Sequence, residues 1–161
     1  MPIIDKSRYP ANWREISRER RGRKYKMTRI NLVSPMELSD QHLIAEYREL
    51  PRCIKQKIDT SDAPEQYCLG KGHMKWAKKH SFFLLKRYGY ILDELIYRGF
   101  KISHSFDELH YLYSELTKPE DENDYFPTSA DIELSRNRIS ERINKKPNFY
   151  RWTNRPTGFN P

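Results

Sequence analysis

A chain of 161 residues with 37% hydrophobic residues and a formal net charge of +8 supports one domain with a modest core, or one domain with an appendage. No run is long and apolar enough to span a membrane, and charged residues follow directly on the short apolar opening, so neither a membrane partner nor a signal peptide is expected. Two cysteines, Cys53 and Cys68, exclude a disulfide framework and cannot build a zinc site alone; a cytoplasmic chain without metal or cofactor is the expectation.

Residues 1–26 hold nine Lys/Arg against three Asp/Glu, so most of the excess charge lies there, with one basic, loosely attached helix expected around 12–21. Residues 29–33 read as a short extended segment. The first strong helical pattern covers about 39–58, with Leu43, Tyr47, Leu50, Ile54 and Ile58 at spacings of four, three, four and four. Pro51 falls inside it and predicts a bend or a split near Glu49. Residues 59–66 are polar, contain Pro64 and read as a loop.

A second helix is expected from Gly72 or His73 to Arg98, with Leu84, Tyr88, Ile91 and Leu95 on one stripe and Gly99 as its stop. His73, after a Gly-Lys-Gly turn, reads as a cap or structural residue. A shorter helix is expected over 106–116, with Ser105 and Glu108 as a capping-box pair. Residues 120–124 form an acidic solvated loop. A third long helix, about 129–145, carries Ile132, Ser135, Ile139 and Ile143 and is closed by Pro147. The expected fold is all-α: a compact single domain of three main helices plus a short helix, with long irregular connections and an aromatic tail.

Two basic stretches within the body suit a nucleic-acid-binding face: 71–87 has six Lys/Arg and no acid, and 136–155 has seven with only Glu141. Phe82, Phe83, Phe149, Tyr150 and Trp152 are interleaved with them, which suits stacking on bases, although most of 76–83 reads as core.

The residues Met27-Thr28-Arg29-Ile30-Asn31-Leu32-Val33, followed by Asp40-Gln41-His42-Leu43-Ile44-Ala45-Glu46-Tyr47-Arg48-Glu49-Leu50-Pro51-Arg52, closely resemble the opening of the pyrimidine-dimer DNA glycosylases of the phage endonuclease V type. The similarity resumes at Leu69-Gly70-Lys71-Gly72-His73, Arg98-Gly99-Phe100, Asp124-Tyr125-Phe126-Pro127 and Lys146-Pro147-Asn148-Phe149-Tyr150. It extends over about 27–152. The resemblance implies a compact all-helical enzyme that breaks the glycosidic bond of the 5′ base of a cyclobutane pyrimidine dimer and nicks the abasic strand by β-elimination. It implies Thr28, through its α-amino group, as nucleophile and Glu49 as the carboxylate that serves the chemistry. Arg29, Arg48 and Arg52 are then expected to grip phosphates, with Gln41 and His42 near the lesion. Arg138 and Arg142, one turn apart on the third long helix, are further candidates for backbone grip. The expected partner is double-stranded DNA containing pyrimidine dimers or abasic sites, bound by a monomer that is nucleoid-associated when on DNA.

The chemistry suits those groups. An α-amine titrates at about 7.7–8.0 against about 10.4 for lysine, so it is partly neutral near neutral pH without special burial. Departure of the base leaves an oxocarbenium-like centre that a carboxylate stabilises, and the same carboxylate can remove the neighbouring sugar proton.

With residues 1–27 attached, the Thr28 nitrogen is an amide and cannot form an imine. Two readings stay open. Translation or processing begins the active chain at Met27, before which residues 22–26 are compatible with a purine-rich ribosome site. Alternatively the extension is genuine, as the similarity of residues 8–16 to the lead-in of some His-Asn-His nucleases favours. In that case Glu49 activates water without lyase chemistry, a lysine such as Lys26 supplies the amine, or the protein is a non-catalytic damaged-DNA-binding module. The expected organisation is a basic extension over 1–26 and a glycosylase domain over 27–161.

Overall fold

The computed structural model describes residues 30–155, which contain five α-helices and no β-strand. These are α1 (Asp40–Lys55), α2 (His73–Lys79), α3 (Ser81–Tyr97), α4 (Phe106–Leu116) and α5 (Ser129–Lys145), with short 3-10 turns at Pro35–Glu37 and Pro119–Asp121. The basic helix expected around 12–21 lies outside the described residues.

In α1, Ser39 is the N-cap and its hydroxyl accepts from the His42 N–H at 3.1 Å. Leu43, Tyr47, Leu50 and Ile54 are fully buried, against α2, α3 and α4. That burial on both sides of Pro51 carries the helix through the proline unbroken, so the expected split near Glu49 does not occur. The helix stops at Lys55, short of Ile58. Its end is capped by buried Lys78, whose ammonium donates to the Ile54 carbonyl.

The helix expected from Gly72 or His73 to Arg98 is two helices that part at His80. The apolar period continues across the junction, but polar competitors take its backbone groups: the Asn123 amide donates to Lys79 O at 2.9 Å, and the Phe83 N–H turns to Asn123 O at 3.2 Å. His80 is held in a non-helical conformation, with its Nδ1–H on Trp76 O at 2.7 Å. α3 then buries Leu84, Tyr88, Ile91 and Leu95. It ends on Gly99 at φ +85°, with Gly99 N–H to Ile96 O and Phe100 N–H to Leu95 O both at 2.9 Å, a Schellman closure.

α4 has the expected bounds, and Ser105 accepts from the Glu108 N–H at 3.3 Å. The reciprocal half of the expected capping box is missing, because the Glu108 carboxylate pairs with His104 instead. α5 also has the expected bounds and opens with a complete box between Thr128 and Asp131. Its buried stripe is Asp131, Ser135, Ile139 and Ile143.

Residues 30–33, part of the segment expected as extended, lie outside any helix and are buried, and among the described residues no strand pairs with them. Side chains take the place of the missing partner. Ile30 N–H donates to His73 Nε2 at 3.0 Å, Asn31 N–H to Glu46 Oε1 at 3.1 Å and Leu32 N–H to Ser135 Oγ at 3.0 Å. The carbonyls of Ile30 and Val33 accept from Tyr67 Oη at 2.6 Å and Arg87 Nη1 at 2.9 Å. Arg87 also clamps Glu46 through two bonds of 2.7 and 3.0 Å, and both side chains are buried. Removing one partner of such a pair leaves an uncompensated buried charge. Arg87→Met is therefore expected to lower stability by about 3–5 kcal/mol in urea unfolding. Arg87→Met combined with Glu46→Gln should cost less than Arg87→Met alone, because it removes the stranded carboxylate and leaves an oxygen for Asn31.

Candidate functional site

While α1 turns Leu43, Tyr47, Leu50 and Ile54 inward, His42, Ala45, Arg48, Glu49 and Arg52 form its half-exposed to exposed stripe. The spacing of three and four places them on one face. The Glu49 side chain is 18% exposed and accepts from Arg52, itself 50% exposed, at 3.3 Å. Arg48 is half-buried beside it.

α5 brings a second row of cations to the start of this face. Arg138 and Arg142, both half-buried, flank the α5 stripe and lie close enough to His42 to act on its charge. Burial, reinforced by Arg142 and Arg138, pushes the His42 imidazole down to about 4. The ring is therefore neutral near pH 7. Its Nδ1 lies 2.9 Å from Ser39 Oγ, and it stacks on Tyr150 with 4.8 Å between centroids and 9° between planes. Phe149 stands perpendicular to Tyr150, with the Lys146 ammonium 5.2 Å above its ring.

The tail that carries these aromatics is fixed to the first turn of α1. Gln41 is buried; its amide donates to Phe149 O at 2.7 Å and its carbonyl accepts from Arg151 N–H at 3.0 Å. Gln41 thus binds the tail. Asp40 N–H donates to Arg151 O at 2.7 Å, and the Asp40 carboxylate accepts from Thr153 Oγ1 at 2.6 Å. Behind it, fully buried Arg98 bridges Asp40 at 2.9 Å and Glu94 at 3.3 Å, and Glu94 holds Arg155 through two bonds of 2.7 Å.

The structure thus brings together His42, Arg48, Glu49, Arg52, Arg138 and Arg142, with Gln41 behind them. Thr28 and Arg29 lie outside the described residues. Of the two basic stretches, only the second contributes to this face. Five of the six cations of the first are engaged elsewhere: Lys75 pairs with Asp62 at 2.8 Å, Lys79 with Glu65, Lys86 with Asp124, Arg87 with Glu46, and Lys78 caps α1. Trp76 is core, as expected, and so not a stacking platform. Sequence reasoning missed Glu46, Arg87, Tyr67 and Ser135, which hold the 30–33 segment along this face. The signal was present for Glu46, a carboxylate on the inward side of α1 between Leu43 and Leu50, since a charge at a core position implies a buried partner. Among the described residues, no group of three or more His, Cys, Asp or Glu is arranged to hold a metal ion, and no helix is long and apolar enough to cross a membrane.

The family model described as pyrimidine dimer DNA glycosylase matches residues 27–108. The match spans α1 to α3, and therefore Glu49, Arg48, Arg52 and the whole anchored segment; Arg138, Arg142 and the aromatic tail lie beyond it.

His42 also makes stability depend on pH. Its pKa is lowered from 6.5 to about 4 on folding, so between those values the unfolded chain binds a proton that the folded chain does not. Stability contributed by the neutral ring is present above about pH 6.5 and is lost as pH falls toward 4. Arg142→Gln removes one source of the depression. An NMR titration should then show His42 protonating at a higher pH, with a shallower fall of stability on acidification.

Proposed function

The chain belongs to the pyrimidine-dimer DNA glycosylase family, and from that premise we propose that it excises the 5′ base of a cyclobutane pyrimidine dimer through an imine and nicks the abasic strand by β-elimination. Thr28 supplies the nucleophile through its α-amino group. The amine attacks the anomeric carbon as the glycosidic bond breaks with its electron pair leaving on the base, which takes up the proton that the attacking amine gives up. The ring then opens as the bond from that carbon to the ring oxygen breaks onto the oxygen, which is protonated, and the nitrogen lone pair completes the imine. Glu49 stabilises the cationic sugar and then takes the proton from the carbon next to the imine. Those electrons form a carbon–carbon double bond as the adjacent carbon–oxygen bond to phosphate breaks, which cuts the strand; water releases the amine.

The observation that carries this reading is the anchoring of Asn31 on Glu46 at 3.1 Å, one turn of α1 from Glu49. One turn is a rise of about 5 Å. Three extended residues span up to about 11 Å, so an amine at Thr28 has the reach to meet the Glu49 carboxylate. Arg48 and Arg52 on the Glu49 stripe, Arg138 and Arg142 near His42 at the start of the same helix, and Arg29, next to the anchored segment in sequence, supply the charge to grip phosphates on either side of a lesion. The His42–Tyr150 stack and Phe149 offer flat faces to an unstacked base. Gln41 acts indirectly, by holding those aromatics in place. Residues 27–161 form the glycosylase domain and act as a monomer; the Thr28 α-amine is freed by removal of residues 1–27, and while they stay attached residues 1–26 are a basic arm on a chain that binds DNA without imine chemistry.

The amine is tested by folding the full chain with a protease site placed before Thr28, then cleaving it. The cleaved protein should yield a borohydride-trapped adduct with dimer-containing or abasic duplex that maps to Thr28, and the uncleaved protein none at that residue, because an amide nitrogen has no basic lone pair. Glu49→Gln should abolish nicking with binding retained. An adduct on Lys24 or Lys26 would move the nucleophile; no adduct in either form would remove the imine mechanism. The interface is tested by salt dependence: Arg48→Ala, Arg138→Ala and Arg142→Ala should each reduce the slope of log affinity against log salt by about 0.9, whereas Lys86→Ala, already paired with Asp124, should leave it unchanged.

A further inference from the structure

Resting on the Thr28 reading, we propose that His73 and Tyr67 are positioning residues for the same reaction: they clamp the N–H and the C=O of Ile30 and so aim the Thr28 α-amine along the Glu49 face. Both clamp bonds come from side chains outside the segment, which has no strand partner among the described residues: His73 Nε2 accepts from Ile30 N–H at 3.0 Å and Tyr67 Oη donates to Ile30 O at 2.6 Å.

Each clamping group is itself held in one orientation. The second ring nitrogen of His73 faces the Cys68 carbonyl at 2.7 Å, so Nδ1 carries the proton and Nε2 is left as the acceptor that Ile30 requires. Tyr67 belongs to a relay that starts and ends on the same segment. Leu32 N–H donates to Ser135 Oγ at 3.0 Å, Ser135 donates to Tyr67 Oη at 3.1 Å, and Tyr67 donates back to Ile30 O. The two rings meet edge to face at 5.6 Å, and Trp76 packs on Tyr67 at 4.9 Å. The turn that delivers His73 needs glycine: Gly72 sits at φ +93°, where a Cβ would also approach Pro64 Cγ at 3.1 Å.

Ile30 is fully buried, so its side chain alone would anchor the segment. What the imidazole and the phenol add is the direction of a peptide group two residues from Thr28, over which the chain extends at most about 7 Å. Attack on the anomeric carbon needs reacting atoms about 3–3.5 Å apart and aligned, and a misplacement of about 1 Å from a distant substitution can cost about 10²-fold.

The test uses the full chain carrying the protease site, folded and then cleaved before Thr28. Tyr67→Phe should slow single-turnover borohydride trapping on abasic duplex by about 10²-fold at a temperature where the variant is fully folded, while affinity for a non-cleavable tetrahydrofuran duplex stays near parental; its melting temperature should fall, because Ile30 O loses its donor. His73→Gln keeps an acceptor at the Nε2 position and should trap near the parental rate; His73→Leu should be slow like Tyr67→Phe. Parental trapping by both Tyr67→Phe and His73→Leu overturns the proposal, as does a His73→Gln protein as slow as His73→Leu. Slowing that merely tracks lost affinity, or that appears only at temperatures where the variant is partly unfolded, also overturns it, leaving a structural role. If the parental adduct maps elsewhere than Thr28, the nucleophile reading falls and the clamp with it; if it maps to Thr28 and the variants trap normally, the clamp alone falls.

Discussion

A buried, non-helical stretch of backbone partnered by side chains is the constraint on which this structure turns. Residues 30–33 run through the interior of a helical protein, where each peptide N–H and C=O left without a partner costs a large part of a domain's net stability. The partners come from α1, the loop after it, α2, α3 and α5: Glu46, Tyr67, His73, Arg87 and Ser135. The helices are thereby tied to one another through a segment that belongs to none of them. The helix starts and stops are consistent with this, since α2 begins at His73 and α1 presents Glu46 from its inward side. Burying the Arg87–Glu46 pair is justified by the same need, because each of its members also serves a backbone group of the segment.

Much of this was legible in the chain. Where local chemistry and hydrophobic period agree, as in α4 and α5, the expected bounds and the observed ones coincide. They diverge where distant residues intervene. The junction at His80 depends on Asn123, more than forty positions away, reaching Lys79 O, and no window of local sequence contains that bond. Pro51 is the converse case, a local breaker overruled by buried neighbours on both sides. For the functional face, the stripe on α1 follows from helical spacing, but the role of Gln41 does not. Gln41 is expected beside the lesion, and nothing local in the sequence shows that the tail returns, more than a hundred residues later, to occupy both ends of its amide.

Charge is the clearest example of a sequence property that the fold redistributes. The two basic stretches look equivalent as strings. In the structure Lys75, Lys79 and Lys86 of the first reach back to Asp62 and Glu65 or across to Asp124, so their charges are balanced locally. Arg138 and Arg142 of the second instead share their surroundings with a half-buried imidazole, where they add to burial in depressing the basicity of His42.

The knot of Asp40, Arg98, Glu94 and Arg155 bears on how the protein is made. During synthesis, α1 and α3 leave the ribosome well before the tail, and their ends can already be joined through Arg98 to Asp40 and Glu94. The aromatic platform cannot form until residues 149–155 emerge and lock onto Asp40, Gln41 and Glu94. A nascent or prematurely terminated chain would thus carry cations and a carboxylate but no stacking surface. Translation would have to finish before the platform is complete.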